Sequence, residues 1–124
     1  MPEYDRSVSP PAPVVVAEIR FRDGDRPVRV PLLLDSGSDV TILPLAAVQA
    51  TGATIRPYPI PLQGYSGELV YRDRARLAMN LLRYTFRGDY LVDNLEIGIL
   101  GRNVLNALVV TLDGPGLVWT AHTP

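Results

Sequence analysis

A chain of 124 residues with no cysteine is long enough to bury a core unaided, and it excludes disulfides, thiolate metal centres, iron–sulfur clusters and cysteine nucleophiles together. Twelve basic against thirteen acidic residues leave a net charge of −1, and without a basic block there is no footing for nucleic acid or an anionic membrane surface. No apolar run is long enough to span a bilayer, and the start, Met-Pro-Glu-Tyr-Asp-Arg, lacks the regions of a signal peptide, so a soluble, cytoplasmic domain with no membrane segment is expected.

Residues 1–13 read as a disordered Pro-rich tail, because Ser9-Pro-Pro-Ala-Pro13 lacks amide donors. The folded domain is expected over 14–124. From Val14, the apolar residues Val15, Ala17, Ile19 and Phe21 alternate with Glu18, Arg20 and Arg22, the period of a strand with one face on a core. Asp23 to Pro27 is a turn, and Val28, Val30, Leu32 and Leu34 restore the alternation as the second strand of a hairpin. Val40 to Leu43 predicts a short strand, and Leu45 to Ala50 a brief helix opened by Pro44 and closed by Gly52. Pro57, Pro59 and Pro61 restrict their segment to an edge strand or an extended connection. Gly64-Tyr-Ser-Gly67 is a turn, and Glu68 to Leu77 returns as a polar strand, so this second hairpin is expected to be short of core residues and mobile.

Tyr84 to Val92 and Leu95 to Leu100 predict two more strands, and Arg102 to Leu108 about two turns of helix, with Val104, Leu105 and Leu108 on one face. A last hairpin spans residues 109–121, turning at Asp113-Gly-Pro-Gly116. Some seven or eight short strands and two short helices make an all-β domain, closed and barrel-like.

Few residues in this chain can carry chemistry. His122 is the sole histidine and stands near the C-terminus, which argues against a serine triad or a histidine metal cluster. Asp23 and Asp25 lack the further ligands of a calcium loop, and no glycine-rich loop leads into a helix as a phosphate cradle requires. No metal and no cofactor are expected. What stands out is Asp35, set between Leu34 and Val40 in an otherwise apolar run. A carboxylate there must be neutralised, well hydrogen-bonded or functional, and Ser36 and Gly37 place small donors beside it.

Leu33-Leu-Asp-Ser-Gly-Ser-Asp-Val-Thr-Ile-Leu43, followed some sixty residues later by Ile99-Leu-Gly-Arg-Asn-Val-Leu105, resembles the retropepsin family, the retroviral-type aspartic peptidases. The resemblance implies that Asp35 is the catalytic carboxylate, that Ser36 locks two active-site loops together through its hydroxyl, and that Gly37 binds substrate backbone. It also implies that Asp39 pairs with Arg102, and that Gly64, Tyr65, Ser66 and Gly67 form the tip of a flap over the substrate. An arginine fork is in any case the natural partner for an aspartate so near the site.

Amide hydrolysis needs a base for water and an acid for the leaving amine, and two carboxylates sharing one proton supply both. This chain has one Asp-Ser-Gly, so a homodimer bringing two copies of Asp35 together is required, with a polypeptide as substrate. Ser38 is expected to donate to the carboxylate and shift the dyad towards acid, giving an acidic optimum. Val40, Ile42, Ile60, Leu62 and Leu100 are expected to line subsites or to pack in the core. The hairpin past Leu112, which goes beyond the single terminal strand of the viral pattern, is expected at the dimer interface, with Trp119 either an anchor there or a core residue. Two other readings compete with the active peptidase: a catalytically silent retropepsin-like domain that dimerises or binds peptide, and an unrelated β-barrel with an accidental tripeptide.

Overall fold

Eleven strands and two short helices make up the chain in a computed structural model that describes residues 2–64 and 66–124. β1 (Val14–Arg20) buries Val15, Ala17 and Ile19 and pairs antiparallel with β2 (Val28–Leu34), Ala17 opposite Val30. The connecting turn is held by the Arg22 amide donating to Asp25 Oδ2 at 2.9 Å.

Strand β3 (Ile42–Pro44) leads without a break into α1 (Leu45–Thr51), which buries Val48 and stops at Gly52, φ 77°. β4 (Ile55–Pro57) pairs with one neighbour only, at the end of the sheet, where prolines that cannot donate do no harm. β5 (Leu62–Gln63) and β6 (Leu69–Val70) form a separate two-stranded hairpin. β7 (Asp73–Leu81) and β8 (Tyr84–Asp93) follow, then β9 (Gly98–Leu100), α2 (Arg102–Leu105), β10 (Val109–Asp113) and β11 (Val118–His122).

Seven strands form one sheet in the order β1-β2-β9-β3-β8-β7-β4, and a further pairing of β1 with β7 closes six of them into a barrel. β7 makes the closure possible by its length: Ala75 pairs with Ile55 of β4, and Met79 with Ile19 of β1. Inside lie Ile19, Val30, Leu32, Leu43, Leu77, Met79, Leu81, Tyr90 and Leu100, each aliphatic side chain contributing about 1.5–3 kcal/mol relative to exposure.

The structure corrects three expectations and decides one that was open. The strand expected over Glu68 to Leu77 is two strands, of which the second runs on to Leu81 and supplies Ala75, Leu77, Met79 and Leu81 to the core; only the β5–β6 tip is poor in core residues. The second helix is a single turn, continued by tighter turns through Leu108. Trp119, left open between interface and core, is a core residue, 2% exposed. Residues 2–13, expected as a disordered tail, lie against the body through Glu3, which bridges Val118, and Tyr4, which packs on the core, while Asp5 bridges Ala12 within the segment.

Candidate active site

Two chain segments meet at the end of β2. β2 and β9 run parallel, Leu34 beside Leu100, and the Asp35 amide extends the ladder by donating to the Leu100 carbonyl at 3.0 Å. The chain then leaves the sheet in a tight turn. The Ser38 amide donates to the Asp35 carbonyl at 3.2 Å, and the Gly37 amide donates to Asp35 Oδ1 at 2.9 Å. That second bond orients the carboxylate through a backbone amide.

The second segment clamps the first. The Arg102 amide donates to the Ser38 carbonyl at 2.8 Å, and its guanidinium Nη1 donates to the Ser36 carbonyl, also at 2.8 Å. Beneath them Thr41, 1% exposed, donates through Oγ1 to Asn103 Oδ1 at 2.8 Å and accepts the Gly101 amide at 3.1 Å. A buried hydroxyl with both roles satisfied is inexpensive, whereas leaving either partner bare would be costly. Gly101 lies directly on the Val40 backbone. Thr41 and Asn103 were missed from the sequence, although both stand inside the two blocks; a polar residue within an apolar run was the available signal.

A cleft of about 350 Å³ opens beside this floor. Asp35, Gly37, Ser38, Asp39 and Gly64 all line it. The structure therefore brings the acidic turn and one flank of the β5–β6 hairpin to a common space. Ser36 and Arg102 hold each other outside the cleft, and Ser66 and Gly67 are exposed at the hairpin turn without lining it. Gly67 adopts φ 81°, and its amide donates to the Gly64 carbonyl at 3.0 Å. Tyr65 lies outside the described residues.

Several details differ from expectation. The Ser38 hydroxyl donates to the Val40 carbonyl at 2.7 Å, so it braces the turn and does not reach the Asp35 carboxylate, which removes the stated basis for an acidic optimum. Arg102 serves the Ser36 carbonyl, and among the described residues no ion pair joins it to Asp39, whose side chain is exposed. Of the apolar residues named for subsites, Val40, Ile42 and Leu62 line the cleft, together with Val70 and Ile99. Ile60 is 58% exposed and Leu100 is 1% exposed in the core. Arg72, not foreseen, lines the cleft while paired with Asp93 at the end of β8.

No protein-family model matches the chain, and neither does any curated protein sequence. Among solved structures the chain is similar to EIAV protease complexed with the inhibitor HBY-793, at a TM-score of 0.60 and 22% identity, covering 77% of this chain and 86% of that one. Together with the closed six-stranded barrel and the two short helices, this likeness shows a retropepsin-like, mostly β fold.

Proposed function

We propose that the chain is an aspartic endopeptidase whose active site forms when two copies bring their Asp35 residues together. The observation that carries this reading is the placement of Asp35: it lines a cleft that the β5–β6 hairpin also lines, its carboxylate oriented by the Gly37 amide at 2.9 Å. The likeness in fold to a retroviral protease supports it.

Two carboxylates held close share one proton. The ionised member takes a proton from water as the water oxygen attacks the scissile carbonyl carbon, and the protonated member donates to the carbonyl oxygen. Collapse of the resulting diol breaks the carbon–nitrogen bond, and the amine leaves with a proton returned by the dyad. The pair titrates as a unit. Ser36, exposed in the single chain, is free to lock its loop to the partner's loop, while Arg102 and Ser38 keep the turn in shape. Asp39, exposed at the cleft, accepts hydrogen bonds from substrate backbone. The hairpin around Gly64 to Gly67 closes over the bound polypeptide, and Val40, Ile42, Leu62, Val70 and Ile99 favour apolar side chains.

Incubation with an unfolded protein across a range of pH tests this reading. Cleavage is expected from the wild type and none from Asp35→Asn, with the dimer retained by the variant. Equal cleavage by the two would refute the mechanism.

A further inference from the structure

A second concavity, of about 370 Å³, lies where β4 meets the start of β7, and arginines dominate its lining. Arg74 and Arg76 alternate with the buried Ala75 and Leu77 along β7, so both side chains leave the sheet on the side away from the core. Arg56 of β4 stands directly opposite Arg74 in the ladder, and Asp89 of β8 stands opposite Arg76. Asp89 is the one acid among the described residues that line the space.

Like charges directly across a ladder destabilise it, and one carboxylate does not balance three guanidinium groups. Asp89 is 3.7 Å from Arg74 and 3.8 Å from Arg76, too far to hydrogen-bond either. Among the described residues Arg56 has no ion pair, whereas the neighbouring Arg20 and Arg87 are matched to Glu18 and Asp23. Arg22 adds another cation beside the space, its guanidinium 5.2 Å from the centroid of Phe21, which lines it. In a chain of net charge −1, this local excess of positive charge attracts anions.

The patch also adjoins the chemistry. Arg72, which lines the cleft beside Asp35, stands two residues before Arg74, about 7 Å along an extended chain. The Tyr58 amide donates to the Arg72 carbonyl at 2.8 Å and so carries the β4–β7 pairing on to that point. Arg72 is already matched by Asp93, so the unbalanced charge begins past it, at Arg74. Arg74 and Arg76 repeat at the same spacing as alternate side chains of an extended peptide, about 7 Å.

We propose that Arg56, Arg74 and Arg76 form an exosite for an acidic segment of the polypeptide substrate, Asp or Glu side chains on one face of an extended stretch binding just beyond the cleft. This rests on the reading of the cleft as a peptidase site and names its substrate class: polypeptides with a run of acidic residues near the cleaved bond.

Binding is measured first, on the full chain carrying Asp35→Asn, by fluorescence anisotropy of a labelled peptide with a run of glutamates. The same peptide with glutamines in the run, and an oligonucleotide of equal charge, are the comparisons. The glutamate peptide is expected to bind best, and more weakly as salt is added. Arg56→Glu with Arg76→Glu is expected to weaken it about tenfold, whereas Arg29→Glu with Arg83→Glu, an equal change of net charge at exposed sites elsewhere, leaves it unchanged. Arg56 and Arg76 are exposed, so the fold should survive; if the reversal does not fold, Arg56→Ala with Arg76→Ala replaces it, with a loss of about threefold expected. Equal binding of the glutamine peptide, tighter binding of the oligonucleotide, or an equal loss in the two reversals overturns the exosite. In the active chain, the Arg56→Glu, Arg76→Glu reversal should raise KM about tenfold for a substrate carrying the glutamate run, leave kcat unchanged, and leave KM unchanged for the glutamine version; an unmoved KM also overturns it. Acidic-peptide binding at the patch by a chain that cuts nothing overturns the peptidase reading and leaves the binding surface, while Asp35-dependent cleavage with no such binding does the reverse.

Discussion

A methyl group built on Gly101 would stand 2.1 Å from the carbonyl oxygen of Val40, so the two blocks of the site meet along bare backbone. Gly101 has φ −91°, which any residue can adopt; what forbids a side chain here is contact and not conformation. Substituting Gly101→Ala must therefore push the two segments apart. A loss of about 1–3 kcal/mol or more in urea denaturation is expected, together with loss of cleavage, because Arg102 would be drawn off the Ser36 and Ser38 carbonyls.

Thr41→Val keeps the shape of the side chain and removes its hydroxyl, leaving Asn103 Oδ1 without its donor and the Gly101 amide without its acceptor. A cost of about 1–3 kcal/mol is expected. Thr41→Ser, which retains the hydroxyl, should lose less, and the difference between the two variants in chemical denaturation isolates the bonds from the methyl group.

For Ser38 the structure makes a prediction opposite to the one the sequence suggests. Its hydroxyl donates to Val40, so Ser38→Ala should cost about 1 kcal/mol of stability and leave the acid limb of the cleavage pH profile where it was. Movement of that limb in the variant would show that the hydroxyl reaches the carboxylate after all.

Burial pushes the Tyr90 hydroxyl up from 10.0 to about 12. The folded state thus holds this proton more tightly than the unfolded chain does, so the associated stability is full below pH 10.0 and is lost as pH rises towards about 12. Tyr90→Phe should flatten that alkaline loss. Near neutrality it should cost about 1 kcal/mol, since Tyr90 otherwise donates to the Phe86 carbonyl at 2.7 Å. Melting temperatures measured from pH 7 to 11 would separate the two effects.

The parts of the fold legible in the sequence were those governed by local periodicity. The alternation Val15, Ala17, Ile19 and the proline at position 44 before a helix placed β1 and α1 to within a residue or two. What remained hidden depended on contacts between distant segments. The period-two alternation of Ala75, Leu77, Met79 and Leu81 does mark the longer β7, but nothing local tells that Met79 will pair with Ile19 of β1 and close the barrel. Nor does a proline-rich start show that Pro2 and Glu3 will find an open edge on β11. In the site, Asp35 was visible as an acid in an apolar run, but Ser38 offered several acceptors, and only the turn geometry chose Val40. Arg102 likewise was matched to Asp39 by charge alone, and its guanidinium serves the Ser36 carbonyl.

The central claim is that one proton-sharing pair is built from two chains, and subunit mixing tests it most directly. Wild-type and Asp35→Asn chains are refolded together in equal amounts, and cleavage is compared with that of the wild type alone at the same total concentration. A shared dyad makes every mixed dimer inactive, so activity should fall to about one quarter. A fall to only about one half, each wild-type chain working regardless of its partner, would contradict it.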